Sequence, residues 1–410
     1  MPSDDVDQER PVRAATRRAE DCDVLIVGGG PAGLIAAREV ASARPAPTVV
    51  LIERDPVVGA PVRCGEGVGS AGVSEFLDPI GASWVSRRIT RVVFRAPNGR
   101  EVRVAEGDVG YILDRTGFEG VIAAQASAAG ADIRTRVEAL GMRRDADRWR
   151  VTVQNGHQGE TGDIRARVVV GADGVEGAVG RWAGIDTRVR ARDMESCAQY
   201  VIEDSGIDPS AIVLHFGDRV APGGYAWVFP KSEQSANVGL GVLGLRAGGR
   251  SAVQWLDAYV AAHFPAGRLT SRTVGGVIVA ATIRATVADG LVLCGDAAHM
   301  INPLSGGGIV NAMKAGRLAA ETIVGALARG ATTAAALAPY HERWMRLLGD
   351  DHVRFYQVKE ALARFDDAFF DGLAATVSRI PERRRTLGRI FGVALVRHPG
   401  LLPVIAKYFV

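Results

Sequence analysis

The chain has 410 residues, of which 47% are hydrophobic and 23% are charged, a composition typical of a globular protein with a sizeable core. Its net charge of +3 is mild and its basic residues are scattered, which argues against a nucleic-acid partner. The four cysteines lie far apart and form no CxxC pair, so neither a metal site nor a secreted disulfide framework is expected. A reducing cytoplasm is the compartment that fits best.

Residues 1–21 run acidic and then basic and contain no apolar stretch, so we expect a disordered extension rather than a signal peptide. No run of about 18 uncharged apolar residues follows, which predicts that no helix spans a membrane. The folded part is predicted to begin at residue 22.

The first folded segment has the pattern of a nucleotide-binding βαβ unit. An apolar strand at 23–28 is followed by a glycine turn, an alanine-rich helix at 31–42 and a strand at 48–53. In its GxGxxG motif the glycines allow a tight turn, a close approach to a pyrophosphate and close helix packing, and the terminal acid can accept hydrogen bonds from ribose hydroxyls. The alternative is a glycine-rich loop without a ligand. The predicted cofactor residues of this unit are Gly28, Gly30, Ala32, Gly33, Glu53 and Arg54.

Two later motifs indicate which dinucleotide binds. Gly295-Asp296 follows a buried strand, and a glycine run at 306–308 precedes a long helix at 307–329. A helix N-terminus with free glycine amides stabilises the negative charge that a reduced flavin carries on its pyrimidine edge. These motifs resemble the second FAD-binding segment of the p-hydroxybenzoate hydroxylase superfamily, and residues 171–174 resemble its middle motif, with Gly177 where related chains commonly carry Ser. The resemblance implies FAD contacts by Asp173, Gly295, Asp296, Gly307, Gly308 and Ile309; the alternative for Asp296 is a helix cap.

The remaining pattern predicts an α/β fold: a Rossmann-type FAD-binding domain interleaved with a β-sheet substrate domain, followed by C-terminal helices. Strand-like runs dominate between about residues 194 and 279, interrupted by one helix near 253–264, and helical patterns prevail after 339. The predicted domains are an FAD-binding domain at 22–90, 108–190 and 270–338, a substrate domain at 91–107 and 191–269, and a C-terminal helical region at 339–410.

Three segments, at 61–67, 225–231 and 295–309, resemble those of geranylgeranyl reductases, above all the archaeal-type digeranylgeranylglycerophospholipid reductases. The resemblance covers residues 23 to 344, and His299-Met300 departs from the usual pair of the family. It implies that Cys64 and its neighbours lie against the flavin, that Arg115 contacts its phosphate or ribityl region, and that Val137 pairs its backbone with adenine. The cofactor residues added by this resemblance are Arg63, Cys64, Gly65, Gly67, Arg115 and Val137.

The same resemblance implies the chemistry: hydride from reduced flavin N5 reaches one carbon of a prenyl double bond and a proton reaches the other. Cys64, Glu66 or an ordered water is the candidate proton donor. The alternatives are that Cys64 is a small buried hydrophobe and that Glu66 pairs with Arg63. Tyr225, Trp227 and Phe229 alternate at strand period and share one face, which suits either an aromatic wall for a prenyl substrate or ordinary core.

Two rival functions stay open at this point. One is an FAD-dependent monooxygenase of an aromatic or terpenoid substrate, and the other is a prenyl-binding escort protein without catalysis. The expected partner is a prenyl chain on a diphosphate, a lipid or a quinone, with NAD(P)H or ferredoxin as the electron donor.

The C-terminal segment is cationic and amphipathic. Such a segment predicts peripheral contact with the inner face of the cell membrane, whereas the alternative is that its helices cap the fold and turn their cations to water. Three prolines limit helix length. The cations are Arg379, Arg383, Arg384, Arg385, Arg389, Arg397 and Lys407.

Overall fold

The computed structural model describes residues 19–156, 159–204, 206–385 and 392–393. The first strand begins at Glu20, so residues 20 and 21 belong to the sheet rather than to the predicted extension. The physical reason is that this strand pairs along its whole length with a partner strand, from Glu20 opposite Ile164 onward. Most of the predicted membrane-facing segment, including Arg389, Arg397 and Lys407, lies outside the described residues.

The strands are β1 (Glu20–Val27), β2 (Val49–Glu53), β3 (Gly67–Gly69), β4 (Val85–Arg95), β5 (Glu101–Leu113), β6 (Asp132–Thr135), β7 (Val137–Asp145), β8 (Arg148–Asn155), β9 (Thr161–Gly171), β10 (Met194–Glu203), β11 (Ala211–Phe216), β12 (Tyr225–Pro230), β13 (Ser235–Leu243), β14 (Arg268–Ile278), β15 (Val287–Ala288) and β16 (Leu291–Leu293). The α-helices are α1 (Pro31–Ala41), α2 (Ser70–Ser74), α3 (Arg115–Ala129), α4 (Val179–Trp182), α5 (Ala252–His263), α6 (Ile309–Ala328), α7 (Ala334–Trp344), α8 (Asp350–Leu362) and α9 (Asp367–Val377).

The first sheet has a parallel centre. Its order is β15-β16-β9-β1-β2-β6, and β1 runs parallel to both β2 and β9. Val24, Leu25 and Ile26 are fully buried, as the continuous apolar run predicts for a strand covered on both faces. The predicted Rossmann-type arrangement is confirmed, and its carboxyl edge carries the glycine loop.

The second sheet has the order β14-β10-β13-β12-β11-β4-β5-β3. It takes in more of the chain than the predicted β-rich segment at 91–107, because β4 and β5 extend that hairpin to 85–113 and β3 pairs with β5. One face packs on α5 through Leu256. The opposite face, which carries Trp227 and Phe229, is called here the inner face, because it points toward the loop at residues 64–67.

Helices complete the two sheets. Helix α6 packs closely on α1, where a Cβ added at Gly316 would lie 2.3 Å from the carbonyl oxygen of Ala32. Tyr340 and Trp344 of α7 are fully buried, and α9 buries Ala374 and Val377 against the β4–β5 hairpin. Within the described ranges, no helix is both long and apolar enough to cross a bilayer.

Candidate functional site

The glycine loop between β1 and α1 has the geometry that its motif predicts. Gly28 has φ +108°, and a Cβ at Gly33 would lie 2.0 Å from the carbonyl oxygen of Gly28. Only glycine therefore allows α1 to start this close to β1. A Cβ at Gly30 would meet nothing within 4 Å, and α1 begins without a side-chain cap. The loop thus offers open space beside helix amides, which is what a pyrophosphate requires.

Glu53 ends β2, as predicted, and accepts two backbone hydrogen bonds. Oε2 accepts from the Gly29 amide at 2.6 Å, and Oε1 accepts from the Asp55 amide at 2.8 Å. Each carboxylate oxygen retains capacity for a further donor such as a ribose hydroxyl. Arg54, also predicted to bind the cofactor, is paired with Glu176 at 2.7 Å.

Two further predicted cofactor residues lie within the first sheet and its helix layer. Ala32 is buried in α1, and Val137 is buried at the start of β7, where it is paired with Asn155. The contacts of Ala32 and Val137 with a cofactor stay predictions.

Asp173 follows β9 and holds an unsatisfied oxygen. Its Oδ2 accepts from the amides of Ala178 and Val179 at 2.6 and 2.9 Å, whereas the buried Oδ1 has no hydrogen-bond partner among the described residues. A Cβ at Gly177 would lie 2.6 Å from this Oδ1, so the glycine that replaces the usual serine makes room for the carboxylate. Burial raises the pKa of Asp173. A buried acceptor without a donor is the kind of group that a ligand satisfies.

Asp296 lies beside the start of α6. Gly295 has φ +68°, and a Cβ at Gly308 would lie 3.5 Å from Asp296 Oδ1. Burial raises the pKa of Asp296 to about 6, against the charge of Arg115, which lowers it. Helix α6 begins at Ile309 without a side-chain cap. A carboxylate and an uncapped helix start therefore adjoin each other, and Gly307 lies in the loop between them.

Asp296→Ala should reduce the FAD content of the purified protein at least about tenfold at limiting FAD, because cofactor hydroxyls would then be buried without this acceptor. The ratio of flavin to protein absorbance measures occupancy. Asp147→Ala, in the exposed turn between β7 and β8, is the matched control. Equal occupancy in the two variants would contradict the assignment of Asp296.

The loop at residues 64–67 is predicted to lie against the flavin and is called here the flavin loop. It is held by side chains of the inner face. Gln199 Nε2 donates to the carbonyl oxygen of Cys64 at 2.9 Å, and Trp227 Nε1 donates to Gln199 Oε1 at 2.9 Å. A Cβ at Gly65 would lie 3.0 Å from the ring of Phe229, and one at Gly67 would lie 3.2 Å from the same ring. The aromatic side chains therefore stand directly against the flavin loop, which explains two of its glycines.

Glu66 attaches the flavin loop to the second sheet. It is 3% exposed and has φ +69°, an uncommon conformation for a residue with a side chain. Its Oε2 accepts from Lys231 Nζ and from Asn237 Nδ2, each at 2.6 Å. The expected alternative partner, Arg63, is instead 3.6 Å from Glu176. That alternative pairing is wrong, because Glu66 turns into the protein and Arg63 turns outward.

Arg115 starts α3 beneath the flavin loop. Its guanidinium forms an ion pair with Glu119, one helical turn away and 2% exposed. Its charge also acts on Cys64 and Asp296, so Arg115 lies between the flavin loop and the start of α6. Contact with the phosphate or ribityl region of the cofactor stays a prediction.

Tyr225 is the third aromatic residue on the inner face of β12, and Tyr225, Trp227 and Phe229 are called here the aromatic row. The hydroxyl of Tyr225 donates to the carbonyl oxygen of Ser305 at 2.6 Å, which ties the second sheet to the loop before α6. The ring centroids of Tyr225 and Trp227 are 6.1 Å apart, and those of Trp227 and Phe229 are 6.5 Å apart. The three rings form one continuous apolar surface; their contact with substrate stays a prediction.

Sequence reasoning missed four residues of the inner face. Gln199 and Asn237 have no local signal, because the groups they bind lie 135 and 172 residues away. Lys231 ends the 225–231 segment, but that segment does not indicate its partner Glu66, 165 residues away. Glu195 had a signal, since it shares the strand face of Cys197 and Gln199 at period two.

The side-chain carboxyl of Glu195 forms no hydrogen bond or ion pair with any described residue. Its Oε2 lies 2.6 Å from the position that a Cβ at Gly241 would take. The lack of a side chain at Gly241 therefore leaves room for the carboxyl group of Glu195. Burial raises the pKa of Glu195 to about 7, and Lys359 lowers it by a smaller amount. The charge of Glu195 acts on Tyr225 and Cys197, which places the carboxyl among the residues of the inner face.

Glu195→Gln should change how stability depends on pH. The pKa of Glu195 in the folded protein lies above its ordinary value of 4.5, so the stability that the protonated carboxyl contributes is present at low pH and is lost as pH rises through about 7. The neutral variant escapes this loss. Relative to the parent, we expect it to gain about 2 kcal/mol between pH 5 and pH 8, measured by denaturant unfolding of the holoprotein. Parallel stability curves would show that Glu195 is not perturbed.

The described residues fit FAD. Open space at Gly30, an orphaned oxygen on Asp173 and an uncapped α6 supply the surfaces that an extended dinucleotide needs for its pyrophosphate and its flavin ring. The residues that would hold it come from β1, β2, β9, α6 and the flavin loop. These elements come from separated parts of the chain, as the binding of one elongated ligand would require.

Comparisons with known proteins agree with this geometry. A family model described as geranylgeranyl reductase catalytic domain matches residues 193–278, and one described as lycopene cyclase protein matches residues 23–194. A digeranylgeranylglycerophospholipid reductase of Methanosphaerula palustris is 39% identical over 386 residues, which cover 93% of this chain and 96% of that protein.

Solved structures give the same result. The crystal structure of a geranylgeranyl bacteriochlorophyll reductase-like protein from Thermoplasma acidophilum has a TM-score of 0.87 and 31% identity, covering 95% of this chain and 100% of that one. A myxobacterial chondrochloren halogenase, FAD-dependent, has a TM-score of 0.70 at 19% identity, covering 93% and 97% of the two chains, and shows the fold alone. The chain therefore belongs to the geranylgeranyl reductase family of FAD-dependent oxidoreductases.

Proposed function

We propose that this protein saturates C=C bonds in the geranylgeranyl chains of a glycerophospholipid. The observation that carries the proposal is the convergence of an apolar aromatic surface with the flavin loop, seen in the packing of Phe229 on Gly65 and Gly67. The names of full-length relatives support the substrate class. NAD(P)H or ferredoxin is the proposed source of electrons.

An isolated alkene offers no carbonyl to polarise. The protein therefore acts mainly by positioning the substrate and by excluding water from the site. When bound, reduced FAD supplies the hydride. The aromatic row on β12 aligns the chain along the inner face, and the bonds from Gln199 and Asn237 fix the flavin loop beneath it. The half-buried Asp296 and the start of α6 would hold the cofactor.

The proton is proposed to come from the flavin loop or from water beside it. Both sequence candidates, Cys64 and Glu66, lie in this loop. Glu66 has Lys231 and Asn237 on one oxygen and, at 3.4 Å, the Arg115 amide near the other, so its role is to hold the loop. Cys64 is partly exposed, and among the described residues its sulfur accepts hydrogen bonds only from the Glu66 amide at 3.2 Å and from the Arg115 side chain. Cys64 is therefore the proposed proton-bearing side chain.

Cys64→Ser should retain FAD and yet change either the rate or the number of bonds reduced, because it alters the proposed proton-bearing side chain and leaves the glycine loop intact. Product masses and single-turnover rates measure the effect. Cys294→Ser, at a fully buried position outside the flavin loop, is the control. Rates and products identical to those of the parent would show that Cys64 serves only packing.

Substrate class is tested with a panel of prenyl compounds. Anaerobic, dithionite-reduced protein is incubated with geranylgeranyl diphosphate, a digeranylgeranylglycerol phosphate and a menaquinone, and products are read by mass. The proposal predicts a gain of two hydrogens per reduced bond, with the glycerol phosphate reduced fastest. Reduction of the quinone alone would overturn the proposed substrate.

A further inference from the structure

A groove runs from the edge of the second sheet toward the flavin loop. Its volume is about 760 Å³, and its lining includes β14, the start of α5 and the residues just before the flavin loop. The groove carries three guanidinium groups, from Arg63, Arg250 and Arg272. The carboxylate of its lining, Glu176, is 2.7 Å from Arg54 and 3.6 Å from Arg63, so it offsets the charge of Arg63 and leaves Arg250 and Arg272.

Two of these arginines are held in place without a carboxylate. Arg250 stacks on Trp255 with 4.2 Å from Cζ to the ring centroid, and Arg272 stacks on Tyr200 at 5.2 Å. Neither forms an ion pair with any residue that the structure describes. Stacking on a ring fixes a guanidinium while leaving most of its N–H donors free. The groove therefore presents positioned cations whose charge is not neutralised locally.

One residue of the groove lining belongs to the inner face. Cys197 of β10 lines the groove and pairs across the sheet with Gly275 of the edge strand β14. A Cβ at Gly275 would meet nothing within 4 Å, so the sheet edge has no side chain to obstruct passage there. Beyond Cys197 lie Glu195 and Tyr225, whose interactions place them beside it.

The groove has an apolar part and a cationic part. Val242, Ala252 and Val253 give the groove apolar walls, and the arginines give it a cationic mouth. An amphiphile with an anionic head and an apolar tail matches this order, because a phosphate accepts several charge-assisted hydrogen bonds from guanidinium groups. The tail then continues toward the aromatic row.

We propose that this groove binds the anionic phosphate head of the prenyl substrate, with Arg250 and Arg272 as the selective contacts and Gly275 as the point where the tail enters the inner face. The inference rests on the proposed function, since it assumes that the tail is reduced beside the flavin loop. It assigns recognition of the head to the sheet edge, away from the nucleotide loop at Gly30.

Equilibrium binding tests the proposal on the oxidised, FAD-loaded protein, where no turnover occurs. The probes are geranylgeranyl phosphate and geranylgeraniol, which share one chain and differ in charge, each used below its aggregation concentration. Calorimetry is run on the parent, on Arg250→Gln/Arg272→Gln, and on Arg188→Gln. Arg188 is an exposed control that pairs with Asp186 elsewhere on the surface.

The parent and the Arg188→Gln control should bind the phosphate about tenfold more tightly than the alcohol. The double variant should lose that preference while its affinity for the alcohol stays unchanged, and added salt should reduce the preference in the parent. An unchanged preference in the double variant would overturn the proposal. So would a double variant that loses affinity for NADPH and keeps its affinity for the prenyl phosphate, because the groove would then serve the electron donor.

Failure of the groove is distinguishable from failure of the proposed function. Geranylgeraniol carries no charge, so its reduction by the reduced protein does not depend on the arginines. If the alcohol is reduced and the phosphate preference persists in the double variant, only the groove assignment falls. If neither compound is reduced, the proposed function itself falls.

Discussion

Gly30→Val is expected to give a folded but colourless protein. A Cβ at Gly30 meets no protein atom within 4 Å, and its φ of −79° is open to any residue, so the apoprotein tolerates the change. The added side chain instead fills the space left for the pyrophosphate at the start of α1. FAD affinity should fall at least about a hundredfold, measured by fluorescence titration of the apoprotein.

Gly141→Val is the matched control for this prediction. Gly141 lies in β7, and a Cβ there also meets nothing within 4 Å. Normal FAD binding by Gly141→Val together with loss in Gly30→Val would localise the effect to the nucleotide loop. A yellow Gly30→Val protein with the parent's affinity would remove the glycine loop from the cofactor site.

Lys231→Met should lower the free energy of unfolding by about 3 kcal/mol, because it leaves the carboxylate of Glu66 buried without its cation. The bond from Asn237 remains, yet a neutral amide does not balance the charge. Adding Glu66→Gln to this variant removes the unpaired charge and should restore most of the lost stability. Denaturant unfolding of the holoprotein measures both changes.

Lys314→Met is the control for Lys231, since Lys314 pairs at 2.8 Å with Glu75, which is 43% exposed. Such a surface pair contributes under about 1 kcal/mol. If Lys231→Met is no more destabilising than this control, the ion pair does not hold the flavin loop. A shift of the visible flavin spectrum in Lys231→Met alone would show that the loop has moved beside the cofactor.

The local parts of the site were predictable from sequence. The turn at Gly28 and the start of α6 at Ile309 each depend on a few adjacent residues whose backbone requirements are visible in the pattern. The three aromatic residues of β12 alternate, so their common face followed from strand geometry.

The contacts between segments were not predictable in this way. Lys231 and Glu66 are separated by 165 positions, and nothing local distinguishes an ion pair within the protein from two charges in water. The alternative that Glu66 pairs with Arg63 was based only on their closeness in sequence. Arg115 is an intermediate case. Its ion pair with Glu119 has the i,i+4 spacing of a helix, so this pairing was visible in the sequence. The same ion pair engages the guanidinium that the resemblance assigns to the cofactor.

A single anaerobic turnover distinguishes prenyl reduction from oxygenation. Holoprotein reduced with one equivalent of dithionite is mixed with a digeranylgeranylglycerol phosphate, and flavin absorbance and product mass are followed together. We expect the flavin to be reoxidised without oxygen and one C=C bond to be saturated, with a mass gain of two hydrogens, for each flavin oxidised. A flavin that stays reduced until oxygen is admitted, with a product that has gained an oxygen atom, would contradict prenyl reduction and identify a monooxygenase.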